Sequence, residues 1–154
     1  DYALENVFNA DETGVFFRAL PNRSLVRKED PREGIKTAKE RVTAFLACPA
    51  TGEKLTPLVI GTSCQPPLAR GFLPVDYKAN SNAWMTKDIF KDWVGRINAK
   101  MRRQGRSILL FVDNCSAHPP MQLSNVEVTF FPPNTTAHLQ PCDDGIIAAL
   151  KSGY

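Results

Sequence analysis

Apolar residues occur in short runs between turn-forming residues, a pattern that is typical of a sheet of short strands. One unbroken run rich in strand formers, Ile108 to Val112, predicts a strand buried on both faces of a sheet. Asp113 follows it directly, and Asn114 is a poor continuation of a strand, so we expect the carboxylate at the strand's carboxyl end. In open α/β sheets this is the edge where binding sites are built, although an acid in this place also serves simply to form a turn.

The remaining strands are predicted from similar runs. A short strand over Val7 and Phe8 ends at Asp11, and Thr13 and Gly14 turn the chain into a second strand over Val15 to Leu20. A second hairpin joins Val42–Cys48 to Leu55–Ile60 through Thr51 and Gly52, with Pro57 at an edge or a bulge, and a last strand covers Val126–Phe131.

A helix is predicted after Thr86, its N-cap, and before Gly105 at its carboxyl end. Its core face repeats every four residues, at Ile89, Trp93, Ile97 and Met101. A terminal helix is predicted to open at Asp143 and Asp144 and to bury Ile146, Ile147 and Leu150. The intervening stretches 22–40 and 61–85 are predicted to be loops.

Two features outside the core suggest contact with nucleic acid, and each has a plainer alternative. Trp84 precedes the helix, where it would serve as an apolar anchor or as a platform for a base. The helix ends in a basic group that would complement its dipole or contact DNA; this group comprises Lys100, Arg102, Arg103 and Arg106.

Composition indicates the general class of protein but says little about the chemistry it performs. The 154 residues form one domain's length, and 43% hydrophobic with 23% charged residues is ordinary for a soluble globular protein. The net charge of +3 does not by itself predict a nucleic-acid partner. No run of membrane-spanning length and no signal-peptide pattern is present. Because the chain opens with Asp1 and not with Met, we expect it to be a piece of a longer protein.

The four cysteines form no CxxC pair, which favours reduced thiols in a cytosolic or nuclear setting. Two close pairs nevertheless have the residue types of a zinc site: Cys115 with His118, and His138 with Cys142. A structural zinc is therefore an alternative to the interpretation of the neighbouring acids given next.

Three acids occupy comparable places in the predicted elements: Asp11 and Asp113 at strand ends, and Asp143 at the start of a helix. A sheet that combines a hairpin with a parallel crossover strand could bring them together at one edge. Carboxylate ligands suit Mg²⁺ or Mn²⁺, and two such ions about 4 Å apart would clamp both oxygens of a phosphodiester displacement. His118 would orient a phosphate or the attacking water, or be a buried histidine hydrogen-bonded to a loop.

Three ordered motifs carry a resemblance to a known family: NADETG at Asn9 to Gly14, VDNCSAH at Val112 to His118, and FPPNTTAHLQPCDDGI at Phe131 to Ile146. Together they resemble the DDE superfamily endonuclease domain of pogo/Tigger-type transposases, a group that includes centromere protein B and jerky-like proteins. Where such proteins tend to have LQPLD, this chain has Cys142 before Asp143, and Asp144 follows.

The resemblance implies an α/β, ribonuclease-H-like mixed sheet flanked by helices over residues 1–154, with Asp11, Asp113 and Asp143 as catalytic, metal-binding triad. It implies cleavage of DNA and joining of the 3′ hydroxyl with two Mg²⁺ or Mn²⁺ ions, in the nucleus, by a domain whose DNA-binding region lies elsewhere in a longer chain. Asp144 is the alternative third ligand, and self-association stays open. The alternative function is a nuclear DNA-binding protein that keeps this domain as a non-catalytic scaffold.

Overall fold

The computed structural model describes residues 1–16, 41–49, 51–64, 74–132 and 147. Its elements are, in chain order, a 3-10 helix at Leu4–Asn6, β1 (Val7–Phe16), β2 (Arg41–Pro49), β3 (Leu58–Gly61), β4 (Asp76–Ala79), α1 (Lys87–Arg103), β5 (Ile108–Val112) and β6 (Val126–Phe130). The six strands form a single mixed sheet in the order β4-β3-β2-β1-β5-β6. The predicted α/β mixed sheet is thereby confirmed.

Strand directions decide where sites can form. β1, β5 and β6 are parallel, β2 is antiparallel to both of its neighbours, and β4 is parallel to β3. Among the six described strands, β2 alone therefore runs opposite to the rest. The other five end at one side of the sheet, which we call the carboxyl edge; the opposite side is the amino edge.

Helix α1 covers one face of this sheet and begins and ends where its sequence predicts. The Thr86 hydroxyl accepts a hydrogen bond from the Ile89 N–H at 3.3 Å, and Gly105 adopts φ +64° just beyond the last turn. The side chains that α1 buries are Phe90, Trp93, Val94, Ile97 and Met101. They pack in one apolar cluster with alternate residues of the sheet, among them Phe8, Ala10 and Phe45.

The predicted turn at Thr13 and Gly14 is wrong, because β1 continues through both residues to Phe16. β1 pairs with β2 from Phe8↔Pro49 to Phe16↔Arg41, and this long ladder extends a segment whose residue types favour a turn. As a consequence Asp11 lies within a strand and not at its end.

Two other strand predictions need correction. β4 lies in the predicted loop 61–85, where Asp76–Ala79 pairs in parallel with Leu58–Gly61; its sequence DYKA has no apolar run that would have revealed it. β5 has complete burial on one face only, because Ile108, Leu110 and Val112 are buried while Leu109 and Phe111 are partly exposed.

The hairpin through Thr51 and Gly52 is confirmed, with Gly52 at φ +88° and its N–H donating to the Pro49 carbonyl. Its second strand is shorter than predicted and begins after Pro57. The part of the predicted strand Val15–Leu20 beyond Phe16, the loop 22–40 and most of the terminal helix lie outside the described residues. No helix in the described part of the chain is long and apolar enough to cross a membrane.

Candidate metal site at the carboxyl edge

The sheet topology brings two of the predicted acids to the same edge of the sheet. β1 and β5 pair in parallel up to Asn9↔Phe111, and two more residues along each chain lead to Asp11 and Asp113. Both acids therefore lie just beyond the last paired residues of neighbouring parallel strands, at the carboxyl edge. Asp11 is 8% exposed, and its Oδ1 accepts a hydrogen bond from the Glu12 N–H at 2.8 Å.

His118 joins Asp113 to a further acid on β1. Its Nδ1 lies 2.6 Å from Asp113 Oδ1 and 3.2 Å from the Asp113 carbonyl oxygen, while its Nε2 lies 3.2 Å from Glu12 Oε1. The ring has no exposed side-chain surface and packs against Phe90 and Phe45, with centroid distances of 4.5 and 5.9 Å. Both ring nitrogens are thus engaged, and the ring holds Glu12 and Asp113 in fixed positions.

His118 and Asp113 each favour the charged form of the other. Burial of the His118 ring acts to lower its pKa, but the hydrogen bonds to Asp113 and Glu12 outweigh burial and raise the pKa to about 10. The hydrogen bond from His118 is in turn the main reason that the pKa of Asp113 lies below its usual value, against the opposing effect of burial. At neutral pH the site therefore contains an imidazolium held by carboxylates.

Cys115 belongs to the same group but stays a thiol. Burial, helped by the charges of Asp113 and Glu12, raises the pKa of Cys115 to about 11. Binding of zinc through Cys115 and His118 would therefore require the loss of the thiol proton and the release of an imidazole nitrogen from its carboxylate partner. The other two residues of the predicted zinc set, His138 and Cys142, lie outside the described residues.

The donor set fits a hard divalent cation better than a soft one. Ligand atoms of Glu12, Asp113, Cys115 and His118 all lie within 4.8 Å of one another. Since the thiol is protonated and the ring nitrogens are engaged, the carboxylates are the groups left to bind a metal. Each carboxylate has about four lone-pair sites, so one that accepts from His118 retains capacity for a cation such as Mg²⁺ or Mn²⁺.

The predicted residues differ in what the structure says about them. Asp113 follows β5 at the carboxyl edge, as predicted, and Asp11 lies on the neighbouring strand β1, outside the close group. His118 is the buried, hydrogen-bonded histidine of the second interpretation, although its partners include two acids as well as a loop carbonyl. Asp143 and Asp144 lie outside the described residues.

Glu12 is the group that sequence reasoning missed. Strand alternation was the available signal: Phe8 and Ala10 are in the core under α1, so Glu12 shares their face and Asp11 has the opposite one. A turn predicted at Thr13 and Gly14 concealed that alternation, because it ended the strand at Asp11.

Comparison with known proteins identifies the family. A family described as DDE superfamily endonuclease matches residues 39–154. Over its whole length the chain is 38% identical to Tigger transposable element-derived protein 4 of Mus musculus, of which it covers 31%. It is 39% identical to the Jerky protein homolog of Homo sapiens, with 94% of this chain and 28% of that protein aligned. For the major centromere autoantigen B of Homo sapiens the identity is 31%, with 99% and 25% covered.

A solved structure supports the fold. The sheet and helix resemble a chain of the Mos1 transposase paired-end complex with left transposon end, with a TM-score of 0.59 and 13% sequence identity. The similarity covers 97% of this chain and 42% of that one. At such identity the likeness concerns the fold alone, which is the ribonuclease-H-like arrangement expected from the motifs. The chain spans about a third or less of the curated relatives named above.

Proposed function

Because the chain belongs to the DDE superfamily endonucleases, we propose that it is the metal-dependent DNA-cleaving and strand-transfer domain of a Tigger-type transposase or transposase-derived protein. The observation that supports this proposal most is the carboxyl-edge site, where Asp113 is held as a carboxylate by His118 beside Asp11. Asp11, Asp113 and, by its motif, Asp143 are the proposed catalytic, metal-binding residues.

The chain's own residues have distinct tasks in this mechanism. Asp11 and Asp113 approach from neighbouring parallel strands, so a phosphodiester at the carboxyl edge would lie between fixed carboxylates. His118 is a positioning residue that fixes the Asp113 carboxylate and keeps it ionised. Two Mg²⁺ or Mn²⁺ ions, when bound by these acids, would supply charge stabilisation for the attacking and leaving oxygens.

The wider setting is part of the proposal. The relatives are about three times as long as this chain or longer, so a separate DNA-binding region in the same protein is expected to deliver the substrate. Relatives named for the centromere and for ARS binding, and a structural neighbour in complex with a transposon end, support DNA as the partner and the nucleus as the location. Self-association through this domain is compatible with that setting.

A second function is favoured by the same relatives. The major centromere autoantigen B is named for the centromere and not for transposition, and in a protein of that kind the domain would serve as a scaffold without cleavage. The presence of Asp11, Asp113 and Asp143 at the motif positions favours the catalytic alternative, because a scaffold has no need of acids there.

The test is Mn²⁺-dependent nicking of supercoiled DNA by the chain and by Asp113→Asn. We expect nicking to fall more than about 100-fold, because loss of an outer-shell group alone costs 10- to 100-fold. Glu127→Gln, an exposed carboxylate on β6, is the matched control and should nick normally. Nicking that persists in Asp113→Asn would remove the assigned role, and failure of the unaltered chain to bind Mn²⁺ or to nick would favour the scaffold.

A further inference from the structure

Trp84 is a large apolar side chain left exposed by a loop that fixes its position. The side chain of Asn80 accepts hydrogen bonds from the N–H groups of Asn82 and Trp84 at 3.1 and 3.2 Å, and it donates to the Trp84 carbonyl at 2.6 Å. Ala83 between them is buried and has φ +52°, a conformation that non-glycine residues adopt rarely. Trp84 itself is 59% exposed, so more than half of its surface is available for stacking on a base, the second of the two roles that the sequence suggests.

Arg41 stacks against this tryptophan and has hydrogen-bonding capacity to spare. Its guanidinium carbon lies 5.7 Å from the centre of the Trp84 ring. Of its five N–H donors, Nη2 donates to Thr43 Oγ1 at 3.4 Å, and Nε is buried without an acceptor in the part of the chain that the structure describes. The planar, always charged guanidinium is the side-chain group best matched to an oxyanion such as a DNA phosphate.

Gly14 leaves room for Arg41 in this position. A Cβ at Gly14 would lie 3.0 Å from Arg41 Nε, a closer approach than most Cβ contacts, so the guanidinium would have to shift by a few tenths of an ångström. This offers a substitution that disturbs the guanidinium without removing its charge.

Arg41 and Trp84 lie on the same edge of the sheet as the candidate metal site. Arg41 is paired with Phe16, five residues beyond Asp11 along β1, which corresponds to about 17 Å. Trp84 is in the segment that follows the carboxyl end of β4. At about 3.4 Å per nucleotide of a duplex strand, a strand cut at the metal site would reach Trp84 within about five nucleotides.

We propose that Trp84 and Arg41 form a binding subsite for a single-stranded nucleotide of the DNA substrate, an inference that rests on the function proposed above. The indole stacks on an unpaired base, and the Arg41 guanidinium binds a phosphate of the same strand. An exposed tryptophan also suits a protein partner. The positive charge of Arg41 beside the indole and the short distance to a phosphodiester-cleaving site favour DNA.

The test compares two DNA duplexes of the same sequence, one blunt and one with a single-stranded extension of ~10 nucleotides, about twice the separation estimated above. Binding to the 154-residue chain is measured by fluorescence anisotropy in EDTA, so that no cleavage intervenes. We expect Trp84→Ala to weaken binding to the extended duplex by about tenfold and to leave the blunt duplex unchanged, because a base can stack on the indole only when it is unpaired. Trp84→Phe should retain most of the affinity for the extension.

Arg41→Ala should lower the salt dependence of binding to the extended duplex by about one counterion, and Gly14→Ala should weaken that binding without changing net charge. Matched controls at the amino edge are Leu4→Ala, an exposed apolar residue, and Lys54→Ala, an exposed cation in the hairpin between β2 and β3; neither should change the affinity.

Two outcomes would overturn the subsite. One is that Trp84→Ala and the unaltered chain bind the extended duplex with equal affinity, as expected if Trp84 contacts a protein instead. The other is that Trp84→Ala loses the same affinity for both duplexes. Trp84 is exposed, so the variant should unfold at the same temperature as the unaltered chain. Nicking activity is a separate measurement. A subsite that fails while Asp113→Asn still abolishes nicking refutes only this inference, and a subsite that binds without nicking refutes only the proposed catalysis.

Discussion

His118 connects segments that are far apart in the sequence. Its ring bridges Glu12 on β1 and Asp113 after β5, and it packs against Phe45 of β2 and Phe90 of α1. A charged group with no exposed surface is stable only when its hydrogen bonds are complete, and both ring nitrogens here have carboxylate partners. Packing and charge therefore act together to fix the Asp113 carboxylate.

Replacing His118 with alanine should affect both folding and metal binding. The change leaves two carboxylates facing each other and a hole between two aromatic rings, so we expect the free energy of unfolding in urea to fall by about 3 kcal/mol. Mn²⁺ affinity measured by calorimetry on the folded variant should fall 10- to 100-fold, because the carboxylate is no longer oriented.

Asn114→Ala, an exposed neighbour, is the control and should change neither quantity. His118→Gln keeps a donor near Asp113 and should recover part of the metal affinity. If His118→Ala lost stability but bound Mn²⁺ as tightly as the unaltered chain, His118 would be a packing residue and would have no part in positioning Asp113.

At this scale the sequence predicts some site residues and hides others. Asp113 is recognisable because it ends the most apolar run of the chain. His118 is ambiguous, since a histidine after a strand serves equally as a ligand or as a buried donor. Glu12 could not be assigned, because its role depends on which face of β1 it shares with Phe8 and Ala10, and that required the strand to continue.

Helix α1 is attached to the sheet by an apolar face and by a polar margin. Trp93 is 1% exposed and meets Phe45 edge to face at 4.7 Å. At the margin, Asp92 pairs with Lys78 of β4 at 2.9 Å and Arg96 pairs with Asp76 of β4 at 2.8 Å. The aromatic contact is buried away from water, whereas the two ion pairs are exposed, so their contributions to stability should differ greatly.

Trp93→Ala should lower the free energy of unfolding by about 3–5 kcal/mol, because a large side chain is removed from a close-packed core. Lys91 is exposed on the same helix, and alanine has a similar helix propensity to lysine. Lys91→Ala should therefore change the free energy of unfolding by less than about 0.5 kcal/mol. Equilibrium urea unfolding measures both. A loss below about 1 kcal/mol in Trp93→Ala would mean that α1 is not packed on the sheet as described.

Asp92→Asn should lower the free energy of unfolding by less than about 1 kcal/mol, since the pairs are exposed and screened. The hydrogen bond from Lys78 is the main cause that lowers the pKa of Asp92 below 3.8. A carboxyl with a lowered folded-state pKa stabilises the fold above its unfolded pKa and loses that contribution as pH falls through the folded one.

The difference in the free energy of unfolding between the unaltered chain and Asp92→Asn should therefore be constant near neutral pH. It should vanish in acid, below pH 3.8. Urea unfolding at several pH values and at high salt measures it. A difference that stayed the same in acid would assign the effect to something other than charge.

Elements with a strong pattern were predictable, and those that depend on a partner strand were not. Helix α1 follows from its cap, its four-residue repeat and its terminal glycine, all of which are local signals. β4 exists because Leu58–Gly61 offers it an edge, and β1 passes Thr13 and Gly14 because β2 pairs along its full length. Pairing of this kind is decided by residues distant in sequence, so local propensity cannot reveal it.

The candidate site is assembled from the whole chain. Asp11 comes from the first strand and Asp113 from the fifth, and the parallel crossover through α1 brings them to one edge. The third acid stays a prediction from the motif and not from periodicity, because Asp143 and Asp144 are adjacent and each would suit the start of a helix. The spacing of the family motif favours the acid two residues after Pro141, which is Asp143.

Substitution of each acid separately should decide between them. If the segment begins a helix there, adjacent residues differ by about 100° around the axis, so one of the two carboxylates would face Asp11 and Asp113 and the other would not. We expect Asp143→Ala to abolish binding of the second Mn²⁺ in calorimetric titrations and to stop nicking, while Asp144→Ala retains both. Either variant removes a single negative charge, so each controls for the other's effect on net charge. Equal losses, or a larger loss for Asp144→Ala, would transfer the third position to Asp144, whereas two unaffected variants would leave the site with the carboxylates of β1 and Asp113 alone.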